Sequence, residues 1–274
     1  MSQPTVTLND GRSIPQLGFG VFKVPQDDAT KIVGAAIKAG YRAIDTAAIY
    51  RNEEGVGAAI AAAGVARDDL FITTKLWNDS HAPDAAKAAL ATSLKKLGLK
   101  AVDLYLIHWP APGKGDIVAT WKSLIAMRDE SLATSIGVSN FTKDDLTRII
   151  EATGVVPSVN QIELHPSFQQ TDLRAFHAEQ GIATESWSPL GQGAGLKDAT
   201  IGTIAKKHGR SPAQIILRWH LDLGLIVIPK SSTPERMAEN FGVFDFALDK
   251  DDWTAIEGVD RADGRIGPDP TTFG

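Results

Sequence analysis

Asp45, Tyr50, Lys75 and His108 bring an acid, a phenol, an ammonium and an imidazole to the ends of three successive apolar segments, AIDTAAIY, LFITTK and VDLYLIHWP. A free phenol titrates near about 10 and is a poor acid at neutral pH. A neighbouring cation favours the phenolate, and a carboxylate can hold that cation in place by charge-assisted hydrogen bonds. The set therefore suits general-acid chemistry on a carbonyl, with the tyrosine as proton donor. A single polar residue at a strand end is ordinary; four complementary groups on three neighbouring segments point to a site.

Two further groups stand in similar places. Ser139, Asn140 and Gln161 close two later segments and Trp187 closes a third. Hydroxyl and amide groups can hold a carboxamide and an indole can stack on a planar ring, so these four suit nicotinamide; a hydrogen-bonded rim with a core tryptophan fits them equally. In IPKSSTPERMAEN, Lys230, Ser231, Ser232 and Thr233 lie between a strand end and a helix start, with Arg236 one turn further on. Open amides and the helix dipole there attract an anion, and a guanidinium suits phosphate. Phe22, Trp77 and Trp109 follow strand ends and can wall an apolar pocket. His81, His165, His177, His208 and His220 show no metal-ligand spacing, so no metal is expected. Glu53 and Glu54 read as first-turn helix acids.

Positioning these residues takes a regular alternation. Strands are expected at 16–20, 42–45, 70–75, 102–108, 134–139, 158–162, 183–187 and 226–229. Helical patterns fill 27–39, 52–63, 83–97, 117–128, 143–152, 171–180 and 212–223. Asn52 is expected to cap one helix and Ser211-Pro212 to start another, with Gly40, Gly98 and Gly154 as stops. Eight strands with interleaved helices predict a single α/β domain over residues 1–274, a (β/α)₈ barrel of the TIM type. A hairpin around Asn9-Asp10-Gly11 precedes it, segments 196–207 and 249–257 add two helices, and the tail beyond Gly258 reads as loop. A doubly wound sheet would carry a G-x-G-x-x-G turn after its first strand. Gly18-Phe19-Gly20 and Gly191-Gln192-Gly193 are both incomplete.

Composition bounds the rest. The chain has 274 residues, 43% hydrophobic and 22% charged, which is globular composition. A net charge of -5 with interspersed signs offers no footprint for nucleic acid. Cysteine is absent, excluding disulfides and thiolate chemistry. No secretory leader or apolar span is visible, so no membrane partner is expected. The expectation is a cytoplasmic monomer.

The signatures resemble those of the aldo-keto reductases over nearly the whole chain. Gly40-Tyr41-Arg42-Ala43-Ile44-Asp45-Thr46-Ala47, continuing through Tyr50 and Glu53 to Gly57, is similar to the first family signature. Ser135-Ile136-Gly137-Val138-Ser139-Asn140-Phe141 is similar to the second, and Ile228-Pro229-Lys230-Ser231 with Arg236, Glu239 and Asn240 to the third. NEEGVGAAIAAAGVARDDLFITTKLWND and VNQIELHP resemble bacterial 2,5-diketo-D-gluconate reductases in particular.

The resemblance implies an NADPH-dependent reductase of small-molecule carbonyls. It implies Tyr50 as proton donor, with Asp45 and Lys75 lowering its pKa, and His108 orienting the substrate. It places Ser139, Asn140, Gln161, Trp187, Ser188 and Leu190 around the cofactor. Lys230, Ser231, Ser232, Thr233 and Arg236 would take its 2′-phosphate, and Glu239 and Asn240 would lie near adenine. The short loop after His108 and the short tail imply an open pocket for small polar carbonyls, lined by Phe22, Trp77, His108 and Trp109. Two rival classes share the barrel and phosphate site: a cofactor-binding regulatory subunit without turnover, and an isomerase or aldolase that would need a Schiff-base lysine or carboxylate base.

Overall fold

The structure, a computed structural model, describes residues 3–274. A short antiparallel hairpin, β1 (Thr5–Thr7) and β2 (Ser13–Pro15), precedes β3 (Phe19–Gly20), α1 (Gln26–Ala39) and β4 (Ala43–Asp45). Then follow α2 (Glu53–Ala62), β5 (Phe71–Leu76), α3 (Pro83–Leu97), β6 (Val102–Ile107), α4 (Ile117–Asp129) and β7 (Ala133–Ser139). The second half holds α5 (Lys143–Thr153), β8 (Val159–Glu163), α6 (Thr171–Gln180), β9 (Ala183–Trp187), α7 (Ala199–His208) and α8 (Pro212–Asp222). Last come β10 (Ile226–Val227), α9 (Pro234–Phe241) and α10 (Lys250–Glu257).

Strands β3 to β10 pair in chain order, every pair parallel. The ring is joined where Leu17 bridges Val227: Gly18 N donates to Val227 O at 2.8 Å and Val227 N to Gln16 O at 2.9 Å. The expected first strand, 16–20, is therefore split: its first half makes the seam and only Phe19–Gly20 forms regular ladder. The expected eight-stranded α/β barrel with its leading hairpin and two extra helices is the architecture observed. No helix among the described residues is long and apolar enough to cross a membrane.

Two glycines set how closely layers approach. A Cβ on Gly57, inside α2, would lie 2.6 Å from Leu97 O at the end of α3. A Cβ on Gly137, inside β7, would lie 2.5 Å from Val159 O on the next strand. Only a residue with no side chain permits that spacing.

The core is divided. Strand faces turned outward pack on the helices, with Trp121, Tyr41, Leu124 and Ile149 fully buried there. The lower interior is apolar: Leu8 and Ile14 from the hairpin close on Ala43, Phe71, Leu104, Leu106, Val159 and Ile226. Asn9 Nδ2 donates to Pro157 O at 3.0 Å, which fastens the hairpin to the barrel floor.

Asn52 departs from expectation. It sits at the start of α2 but its side chain does not cap the helix. Instead Nδ2 donates to Val21 O and Val24 O, and Oδ1 accepts from Thr46 Oγ1 at 2.8 Å. It thus ties the loop after β3 to the loop after β4. Glu53 is likewise more than a first-turn acid: it is buried and accepts from Thr74 Oγ1 at 2.7 Å. The three glycine stops do adopt left-handed φ, 114° at Gly40, 67° at Gly98 and 70° at Gly154.

Because Ile14 is 1% exposed in the floor, Ile14→Ala should lower unfolding free energy by about 2–4 kcal/mol. Urea denaturation measures this. Turnover per folded molecule should stay within about twofold, since the floor lies at the opposite end from the polar residues.

Candidate active site

The upper barrel interior is polar. Asp45 ends β4, Lys75 lies one residue before the end of β5, and both side chains are buried. Lys75 Nζ donates to Asp45 Oδ1 at 2.6 Å and to Thr46 O at 2.9 Å. Two strand ends thus share one cation. Burial alone would favour the neutral amine, but Asp45 and Tyr50 together hold the lysine above its ordinary 10.5.

Tyr50 ends a 3₁₀ turn, Ala48–Tyr50, directly after β4. Its ring centre lies 5.1 Å from Lys75 Nζ and 5.6 Å from the His108 ring. Burial is the largest influence on the phenol and raises its pKa above 10; Lys75 pulls it down, while Asp45 and Glu185 push it up. This corrects the expectation that Asp45 and Lys75 both lower it. Asp45 favours the phenolate only indirectly, by holding the lysine in place, while its own charge acts the other way. With Lys75 beneath it, the phenol keeps its proton at neutral pH and faces a cation that stabilises the phenolate once the proton leaves.

His108 follows β6, is 8% exposed, and is kept neutral by burial and then by Lys75. Its Nδ1 has no partner, and the Trp77 ring packs edge-on against it at 5.1 Å. A neutral imidazole can offer an N–H to a carbonyl oxygen.

The second group meets on the neighbouring strand ends. Ser139 ends β7, and Oγ donates to Gln161 O at 2.8 Å. Asn140 has a left-handed φ of 63°. Its Nδ2 donates to His108 O and Ser139 Oγ, and its Oδ1 accepts from Trp187 Nε1 at 2.8 Å. The indole of Trp187 is thereby fixed in orientation. Gln161 lies inside β8 rather than at its end, two residues before Glu163. Ser188 also has a positive φ, 49°, and Leu190 packs on the core at the start of the following loop.

The third group forms the start of α9. Thr233 is at the cap position with no side-chain cap, Pro234 follows, and the first-turn amides stay open. Lys230 and Arg236 are exposed and make no ion pair among the described residues. Ser231 is buried and Oγ accepts from Thr233 N at 3.3 Å. Open amides beside two unpaired cations fit a phosphate. Ser232 and Glu239 are exposed, and Asn240 is buried on the same helix.

Around the mouth the aromatic residues form a continuous wall. Phe22, half exposed at 51%, packs on Tyr50 at 5.1 Å. Trp109 lies 6.5 Å from Trp187. Phe273 was not singled out in sequence, yet it packs at 4.7 Å on Trp109 and 6.4 Å on Trp77. The pocket is therefore less open than the short tail implied. The tail is held by Glu163, which is buried and whose carboxylate accepts from Ile266 N at 2.7 Å and Gly267 N at 2.8 Å. The only sequence signal for this was an aromatic residue in a Gly- and Pro-rich tail.

A profile of the aldo/keto reductase family matches residues 16–261. The chain belongs to that family, whose members are NADP-dependent oxidoreductases. It is 55% identical over 270 residues to an aldo-keto reductase of Mycolicibacterium smegmatis, covering 98% of both chains. It is 53% identical over 277 residues to the methylglyoxal reductase DkgA of Escherichia coli, covering 100% of both. Among solved structures, a variant of Gox0644 in complex with NADPH superposes with a TM-score of 0.96 at 51% identity, covering 99% of each chain. A Bombyx mori aldo-keto reductase in complex with NADP gives 0.90 at 41% identity, covering 95% of this chain and 94% of that one.

Removing the Lys75 cation leaves Asp45 as a buried, uncompensated charge. Lys75→Met should therefore cost about 3–5 kcal/mol of stability and nearly all turnover. Adding Asp45→Asn should return much of the stability and none of the activity. Urea unfolding and steady-state assays of both variants separate the two effects; recovery of activity with stability would show the pair to be purely structural.

Proposed function

We propose that the chain works as one domain that reduces aldehydes and small ketones to alcohols with NADPH, Tyr50 supplying the proton. The observation that carries this reading is the 2.6 Å Lys75–Asp45 pair buried beneath Tyr50, with neutral His108 on the tyrosine's other side. A substrate oxygen seated between Tyr50 and His108 has a proton donor and a hydrogen-bond donor at hand. NADPH supplies the hydride. Tyr50 gives its proton to the oxygen as charge develops, and Lys75 stabilises the phenolate left behind. Ser139, Asn140 and Gln161 hold the carboxamide, Trp187 stacks on the ring, and Ser188 and Leu190 line the way to the phosphates. Lys230, Ser231, Ser232, Thr233 and Arg236 take the 2′-phosphate, with Glu239 and Asn240 near the adenine. The complex of Gox0644 with NADPH supports NADPH as the cofactor of this fold.

Small polar carbonyls, diketo-sugar acids or dicarbonyls, are the proposed substrates. Phe22 packs on Tyr50, and Phe273 joins Trp77 to Trp109, so the walls around the tyrosine are aromatic side chains, which supports small substrates over a fused-ring ketone. The methylglyoxal reductase relative agrees in kind. Exposed large hydrophobics among the described residues, Phe22, Leu196 and Ile266, are too scattered for an extended subunit interface, which supports a monomer. A regulatory subunit without turnover would have little use for the buried ion pair.

Tyr50→Phe should lower kcat by at least about a hundredfold while the NADPH dissociation constant stays nearly unchanged; turnover near wild type would remove Tyr50 from the acid role. Arg236→Ala should weaken NADPH by about ten- to a hundredfold, the worth of a charge-assisted bond, and leave NADH little changed. Equal losses for both cofactors would mean Arg236 does not read the 2′-phosphate. Comparing kcat/KM for methylglyoxal, a diketo-sugar acid and a bulky steroid ketone tests the substrate class, and a steroid preference would overturn it.

A further inference from the structure

Gln161 holds two carboxyl groups at once. Its Nε2 donates to Asp45 Oδ2 at 2.8 Å and to Glu185 Oε2 at 2.9 Å. Glu185 lies directly beside Gln161 in the β8–β9 register and is 1% exposed. Both hydrogens of the Gln161 amide are therefore committed, and only its Oε1 remains to meet a ligand.

The two carboxyls differ in their partners. Asp45 has the Lys75 ammonium at 2.6 Å. Glu185 receives a single hydrogen bond, from a neutral amide. Among the remaining titratable groups, Tyr50 in the turn after β4 feels its charge, and His108 after β6 lies beyond the tyrosine, 5.6 Å from its ring. Ser139 of β7 and Ile226 of β10, which pairs with Glu185, are uncharged. With Tyr50 protonated and His108 neutral, one cation serves two carboxyls. Ionising both would leave a net negative charge buried in the barrel, which is costly. A proton on Glu185 balances the cluster. Burial and then Asp45 push that carboxyl up to about 8.

Oxidation of nicotinamide adds one positive charge to the ring. On the reading above that Gln161 binds the carboxamide, that charge arises close to the two carboxyls. We propose that Glu185 is a positioning residue whose charge follows the oxidation state of the cofactor: neutral beside NADPH, ionised beside the cationic ring of NADP+. Only the carboxyl O–H bond breaks, and its proton passes to solvent. The buried cluster is then neutral overall in both complexes, and the preference between the two cofactor forms depends on pH.

Glu185→Gln keeps an acceptor for Gln161 and removes the ionisable proton. Dissociation constants for NADPH and NADP+, from quenching of tryptophan fluorescence, are measured on either side of about pH 8. In wild type the ratio Kd(NADPH)/Kd(NADP+) should rise with pH, by about tenfold for each unit separating the Glu185 pKa in the two complexes. In Glu185→Gln most of that rise should vanish. An equal rise in both proteins overturns the proposal. Wild type alone provides a second test. Calorimetry in two buffers of different ionisation enthalpy should find more protons released on binding NADP+ than NADPH at neutral pH, and equal counts overturn it.

A third measurement needs no cofactor. The unfolded chain ionises Glu185 near its ordinary 4.5, while the folded chain keeps the proton to about 8. Wild type therefore loses stability as pH rises through that window, and Glu185→Gln does not. The Tm of the variant relative to wild type should climb from pH 4.5 to about 8 and then level off; a flat difference removes the buried proton and the proposal with it. If folded wild type binds neither cofactor, it is the functional reading that fails instead.

Discussion

A lysine ammonium with no exposed surface is the constraint on which the upper half of this barrel depends. Lys75 cannot be buried charged unless its hydrogens are met. Asp45 Oδ1 and Thr46 O meet it from the adjacent strand and the loop just beyond. Asp45 also accepts from Gln161 across the barrel, and Gln161 donates its other hydrogen to Glu185. Each polar group is satisfied by the next, and the chain crosses the interior from β4 to β9. A packed apolar interior would be cheaper to fold. This one is arranged so that a single positive charge sits under a tyrosine that is open to the mouth.

The loops follow from that arrangement. Thr46 and Asn52 bind each other and anchor the loop whose short 3₁₀ turn carries Tyr50, so side-chain hydrogen bonds help place the tyrosine. Asn140 does similar work on the other rim, where one amide contacts His108, Ser139 and Trp187. Its left-handed backbone is tolerated because asparagine accepts that region more readily than most residues. The rim is thus pre-set before any ligand arrives, which limits the ordering that binding must impose.

The C-terminal tail has no regular structure, yet Glu163, itself bonded to His165, fixes it through the backbone amides of Ile266 and Gly267. Burial would push the Glu163 carboxyl up, but His165 and the two amides outweigh it and hold it below its ordinary value. The tail is therefore pinned by a charge, and it delivers Phe273 to the aromatic wall between Trp77 and Trp109.

Much of this was legible in the chain itself. Strand and helix alternate with clear periodicity, glycine stops mark three helix ends, and polar residues interrupt apolar runs at strand ends. Those are local signals, and local physics sets them: Asp45, Tyr50, Lys75 and His108 stand out because a strand that is buried on both faces has little use for a charged group. Other facts depend on partners distant in sequence. Asn52 looks like a helix cap because cap preference is local, but two carbonyls and a threonine hydroxyl in neighbouring loops claim its side chain. Glu185 lies 24 positions from Gln161, and Glu163 lies 103 from Ile266. The grouping of Asp45 with Lys75 could be read from their strand-end positions, but nothing in the local pattern reveals which carboxyl keeps a proton or which holds the tail. The sequence alone determined the barrel and the polar side chains that gather at its upper end. Tertiary structure decided the charge state of each, because that is set by burial and by neighbours that only closure of the barrel brings within reach.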